Sequence, residues 1–266
     1  MHLTRLLALV LLLVVSAPLH AAVFTVGTCP GATHSDFATA YNLLGTTGGA
    51  PHSLRLCPGS HTTPALIASW GHQGLIIESV SGNPADTELV ASAGTVLTAA
   101  SQDFSVRSLR VAGGFSATGF SNISTTNADV TGAITTAGNL SINNSSIGGG
   151  LSSSNGALTL IDSLVSGPIQ VQNTSSLSGS SVLGSVTVSN GALTLENGSI
   201  EGNLTSNALN ATNWDFTGDM SVTAGTINIA GGSIAGNVDG GSQNLTLSGV
   251  TMTSGSLQVA GGVISI

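Results

Sequence analysis

From Phe104 to the C-terminus, short apolar-polar-apolar triplets recur at nearly constant intervals, and this periodicity restricts the fold more than any other feature. The triplets open at Phe104, Ile123, Leu140, Leu158, Leu177, Leu193, Leu209, Ile227, Leu245 and Ile264, in steps of 16 to 19 residues. Positions not used to choose them recur as well. Seven residues after the first nine openings, from Val111 to Met252, eight of nine residues are apolar, Gly184 being the exception. Eleven residues after them, from Phe115 onward, eight of nine are apolar again, Ser256 being the exception. Three apolar stations per turn of about 18 residues describe a chain that bends three times per coil and stacks each station on the one below. The spacing therefore predicts an all-β, three-sided parallel β-helix. Each coil buries about five apolar side chains at roughly 1.5 to 3 kcal/mol apiece, so a coil is stable only when its neighbours cover it. A β-sandwich, the main alternative, demands turn signals every eight to twelve residues and gives no reason for offsets of seven and eleven to persist.

Composition supports the same class. The 36 Gly would suggest disorder in a charged chain, but this one is 41% hydrophobic and only 6% charged. It is rich in Val, Ile, Leu and Thr and almost free of the helix-favouring Lys, Glu, Gln and Arg. Three of its four basic residues, Arg55, Arg107 and Arg110, lie in one stretch, and the fourth is Arg5. From Val111 to Ile266 there is no Lys, Arg or His, against seven carboxylates. That balance argues against nucleic acid and anionic membrane surfaces as partners.

The first 21 residues read as a secretory signal peptide: Arg5, the apolar run "LLALVLLLVVSA" and the small-residue end "LHAA", with cleavage after Ala21. Pro18 and His20 interrupt the run before the roughly 20 apolar residues that a membrane span requires. No other segment is apolar enough to span. Export places the chain in an oxidising compartment, extracellular or at the outer cell surface. There Cys29 and Cys57, each in a "CPG" tripeptide, are expected to form a disulfide. By loop entropy it would contribute about 3.5 kcal/mol and lock the N-terminal segment to the body.

Residues 22–266 read as one β-helix domain, with 22–60 forming an N-terminal cap and first coil and 61–266 the further coils. Within the cap, Phe37, Ala40, Tyr41 and Leu44 fall at helical spacing behind Ser35 as a candidate N-cap. A short helix laid there would close the open end of the core. At the other end, "GGVISI" stops in what should be the first strand of another coil. The end is expected to be uncapped, so that it pairs end to end with another molecule or continues in a longer surface protein.

The phrases "RLCPGSHT" and "GLIIESVSGNPADTELVAS" resemble the opening coils of the pectin-lyase-like right-handed parallel β-helix superfamily, found in many secreted bacterial proteins. The likeness covers about Val23 to Ser108 by phrase and the remainder by periodicity. A second likeness, through "GSIEGNLTS" and "GSIAGNVDG", is to β-helical regions of non-catalytic bacterial surface and pilus-associated proteins. The fold itself hosts lyases, hydrolases, adhesins and tailspikes.

The superfamily's enzymes set chemical demands that can be checked. Its lyases use a Lys or Arg base beside a calcium cluster of carboxylates, and its hydrolases use two or three close Asp with a His and a basic residue. The chain has no Lys, no basic residue after Arg110 and no two adjacent carboxylates. The tetrapeptide "GHQG" at Gly71 is similar to the Gly-His-Gly of pectin hydrolases but lacks the accompanying Asp pair and Arg motif, so His72 reads as a corner residue. One cluster carries a candidate binding patch: Glu201 on one coil, with Trp214, Asp215 and Asp219 on the next. Three carboxylates on adjacent rungs could hold Ca2+, and an exposed Trp could stack on a sugar. The competing account is packing, since Phe216 is at the inward seven-offset, Trp214 shares its parity, and the equivalent neighbours are Gly198 and Gly232.

His34, His52, His61 and His72 fit no common ligand spacing and read as polar corner residues, so no metal and no cofactor are assigned. Arg107 and Arg110, close to Asp103, read as a surface charge group. Sequons such as those at Asn203 and Asn244 have a simpler use as stacked corner residues. Two function classes remain. The first is a non-enzymatic structural or adhesive β-helix presenting Ser, Thr and Asn faces to glycans, a pilus or another protein. The second is a carbohydrate-active enzyme working through Glu201, Asp215 and Asp219.

Overall fold

In the computed structural model the described residues are 21–44, 51–63, 74–91, 97–100, 103–118 and 121–266. Residues 1–20 of the leader and residues 71–73 of the "GHQG" segment, His72 among them, lie outside them. The chain is a parallel β-solenoid of three sheets. The first runs from Val23–Val26 through His52–Leu56, Leu75–Ser79 and Phe104–Arg107 up to Ile264–Ser265. The second runs from Gly59–Thr63 to Thr251–Met252, and the third from Leu97–Ala100 to Leu257–Gln258. Every pairing within them is parallel, as it must be when each coil repeats the path of the last. In the middle of the stack the ladder pairing continues through the corners, and Val186–Ile200 is one continuous strand that serves the third, first and second sheets in turn.

Side chains alternate in and out along each short strand. In the first sheet the inward column includes Leu75, Phe104, Ile123, Leu140 and Leu158, then Leu193, Leu209, Ile227 and Leu245. The coil between Leu158 and Leu193 corrects the sequence reading. Leu177 pairs with Leu160 and Leu195, whereas Ser175 pairs with Leu193. The true opening of that coil is therefore Ser175, two residues before the apolar residue chosen from the sequence. From Ser175 the seven- and eleven-offsets fall on Val182 and Val186, both in register with the apolar residues of neighbouring coils. The exception at Gly184 disappears. In the last coil Leu257, not Ser256, pairs with Val238.

Ser175 can occupy a core column because its hydroxyl is spent on the backbone. Ser175 is 2% exposed; its Oγ donates to the Asn173 carbonyl (2.9 Å) and accepts the Leu158 N–H (3.1 Å). A second internal ladder runs through Ser145, Ser163 and Ser180. The Ala128, Ser145 and Ser163 N–H groups donate to the hydroxyl one coil above, at 3.0 to 3.1 Å. Buried polar atoms so paired cost little, and they hold adjacent coils in register.

The corner between the first and second sheets has one conformation in every coil from Phe104 onward. Ser108, Asn127, Asn144, Asp162, Gly179, Asn197, Asn213, Gly231 and Gly249 all have φ between 45° and 71°. Each follows the first inward residue of its strand by four positions. Asn, Asp and Gly enter this left-handed region at the lowest cost, which explains the composition of the column.

At the N-terminal end, helix α1 (Phe37–Leu44) buries Phe37, Ala40, Tyr41 and Leu44 against the first coil, as its spacing predicts. Its N-cap is Asp36 rather than Ser35. The Asp36 Oδ1 accepts the Thr39 N–H at 2.8 Å, and Ser35 donates to the other carboxyl oxygen. That bond from Thr39 holds the Asp36 carboxyl below the usual range. Burial pushes the Tyr41 phenol well above its ordinary value. The disulfide Cys29–Cys57 ties the segment before α1 to the end of the His52–Leu56 strand.

Candidate functional site

The outer surface consists of the outward columns of the three sheets and the corners between them. On the first sheet the column from Ser53 to Ser265 is Ser, Thr or Asn at every rung except one, Ile76. On the third sheet Ser116, Thr135, Ser152, Gln170, Thr187 and Thr205 stack in the same way. Rungs of a parallel sheet are about 4.8 Å apart, so these columns are regular arrays of uncharged donors and acceptors.

Two corners carry amide ladders. Asn122 Oδ1 accepts the Asn139 N–H, and Asn139 Oδ1 accepts the Ala157 N–H, each at 2.9 Å. Further along, Asn203 Oδ1 accepts the Asp219 N–H (3.0 Å), Asp219 Oδ1 the Asn237 N–H (2.8 Å), and Asn237 Oδ1 the Ser256 N–H (3.1 Å). The Asn244 amide does the same for Val263. Asn203 and Asn244 thus hold coil to coil. The clue in the sequence is an Asn directly before an inward strand residue, as in "NIS", "NLS" and "NLT".

The candidate patch is divided by this geometry. Trp214 is fully buried, in line with Gly198 below and Gly232 above, so no face of the indole is available to a sugar. Asp215 is exposed on the outward column of the second sheet, where Ser233 donates to it at 2.7 Å. Asp219 stands at the next corner within the amide ladder, receiving the Asn237 N–H and side-chain amide. Glu201 is exposed on the coil below, and its carbonyl accepts the Thr217 hydroxyl. Among the described residues no group of three or more His, Cys, Asp or Glu is placed to hold a metal ion. The three carboxylates therefore form no calcium cluster.

The basic residues are paired elsewhere than expected. Arg55 lies 3.3 Å from Glu78, and Arg110 lies 3.7 Å from Glu88 and 3.9 Å from Asp129. Arg107 donates to Ser105. Asp103 pairs with neither Arg107 nor Arg110. Its two oxygens accept the Asn122 N–H at 2.7 Å and side-chain amide at 3.1 Å. These are half-exposed pairs worth about 0 to 1 kcal/mol each. The histidines also differ from the corner assignment, because His52 and His61 are inward and buried. His52 Nδ1 accepts the Ala22 N–H, and His61 Nε2 donates to the Cys57 carbonyl at 2.7 Å. His34 bonds Thr33 and packs its ring on Phe24.

No helix among the described residues is long and apolar enough to cross a membrane. In comparison with known proteins, the chain matches no protein family, no curated protein and no solved structure.

Proposed function

We propose that the chain is an exported, non-enzymatic β-helical rod that makes weak, multivalent contacts with glycans or a surface protein through its Ser, Thr and Asn faces. The observation that carries this reading is the first-sheet column, uncharged and polar at all but one rung from Ser53 to Ser265 and exposed from Ser141 onward. Such a surface suits many small contacts repeated along a rod, whose strength comes from number. The leader and the disulfide support an extracellular setting. The likeness to pectin-lyase-like and pilus-associated β-helices supports a role outside the cell but selects no activity.

Engagement of Arg55, Arg107 and Arg110 with carboxylates or a hydroxyl away from Glu201, Asp215 and Asp219 speaks against the carbohydrate-active alternative. The test is a binding array of neutral and acidic glycans and of purified pilus and envelope proteins, probed with the chain as monomer and as an artificially clustered tetramer. The proposal expects binding that rises at least tenfold on clustering. Equal monomer and tetramer binding, or none, would contradict it.

A further inference from the structure

Beyond Val23, the exposed residue of the edge strand that opens it, one outward column of the first sheet contains a single apolar rung. Between Ser53 and Ser265 each rung is Ser, Thr or Asn except Ile76, which is half-buried. Folding does not require it, since the other rungs fold with hydroxyls or amides there. Ile76 lines a groove of about 240 Å3. In the same place the wall of the core thins: Leu75 and Phe104 are 6% and 5% exposed, whereas Ile123, Leu140, Leu158, Leu193 and Leu209 in the same inward column are at most 1% exposed. With Pro51, the residues Leu75, Ile76 and Phe104 give the groove an apolar floor.

A polar rail borders that floor. Asn122 and Asn139 spend their Oδ1 atoms on backbone N–H groups of the coil above, and both oxygens of Asp103 are taken by Asn122. The Asn139 side-chain N–H groups and the Ser124 and Ser141 hydroxyls remain without a partner among the described residues. No Lys or Arg lines the groove. An apolar strip beside a row of uncharged donors and acceptors, in a chain of net charge −8, fits a neutral ligand with a C–H face and hydroxyl edges.

We propose that this groove is a binding site for a neutral saccharide chain, which lays a C–H face on Ile76 and bonds its hydroxyls to Asn139, Ser124 and Ser141. The assignment rests on the glycan-contact reading above and gives it a location.

The test uses the full mature chain, 15N-labelled, titrated with cellohexaose, xylohexaose and chitohexaose as neutral probes and with hexagalacturonate as an acidic control. At least one neutral probe is expected to shift the amides of Ile76, Ser105, Ser124 and Ser141 while the acidic one does not. Ile76→Ser restores the usual residue of the column, so the coil should fold, and it is expected to weaken binding at least tenfold. Asn139→Asp keeps the ladder acceptor, removes the donor and is expected to weaken it several-fold. Neutral binding unchanged in Ile76→Ser would overturn the groove while leaving the rod reading intact. No shift by any neutral probe would overturn it as well, as would shielding of Ile76 from a soluble paramagnetic agent in the free chain. The glycan array then decides the rod reading separately.

Discussion

Trp214 and Gly198 are matched across adjacent coils: a Cβ on Gly198 would stand 2.5 Å from the Trp214 ring. The indole occupies room that its neighbour gives up by having no side chain. Gly198→Ala, which also presses on the Ser180 carbonyl, is expected to cost about 1 to 3 kcal/mol in urea unfolding. Trp214→Ala is expected to cost about 3 to 5 kcal/mol, and Trp214→Leu to recover part of the Gly198→Ala loss in a double-mutant cycle. Additive losses would show that the two do not share that space.

The left-handed corner column makes a prediction of opposite sign. Ser108, with φ of 53°, is its one member that is not Asn, Asp or Gly. Ser108→Gly or Ser108→Asn should raise stability by about 0.5 to 1 kcal/mol, and Asn213→Ala should lower it by about 1 kcal/mol. Thermal unfolding of the three variants checks both signs.

Tyr41 is the only tyrosine of the chain, so phenolate absorbance reports on the N-terminal cap alone. Its folded pKa is raised by burial. The unfolded phenol, near 10, therefore loses its proton first as pH rises. The cap's stability is complete below about pH 10 and is lost above it, as pH climbs toward the folded value. Absorbance at alkaline pH should stay low until the cap opens and then rise together with loss of α1 ellipticity. Titration near pH 10 with the helix intact would contradict the burial of the ring.

The disulfide acts on the same region. Cys29→Ser with Cys57→Ser is expected to cost about 2 to 4 kcal/mol. Hydrogen exchange should rise first in Val23–Val26 and α1, while the coils above Phe104 keep their protection. Uniform loss along the rod would mean that cap and coils open as one unit.

The coil spacing was legible in the sequence because most inward positions are filled by Leu, Ile, Val or Phe, and burial demands that pattern. It failed at the Ser175 coil. A buried Ser whose hydroxyl is bonded to backbone is indistinguishable in one dimension from an exposed one, so the apolar pattern places the start at Leu177. His52 and His61 are buried rather than at corners for the same reason, a ring nitrogen of each being satisfied by the Ala22 N–H or the Cys57 carbonyl. The N-cap shifted by one residue, from Ser35 to Asp36, which is within the range that local pattern can resolve. In the candidate patch, the glycines at 198 and 232 were enough to point to burial of Trp214. What spacing could not show was that Asp215 stands on a sheet and Asp219 at a corner, facing different parts of the surface.

On the proposed reading this surface makes contacts and performs no chemistry. The most direct measurement is a depolymerisation screen of the mature chain against uronic-acid and neutral polysaccharides, with products followed by chromatography and by absorbance of unsaturated ends. The account predicts no product above the level of a denatured control and no difference for Glu201→Gln or Asp215→Asn. Turnover that either substitution abolishes would contradict it and make those carboxylates catalytic.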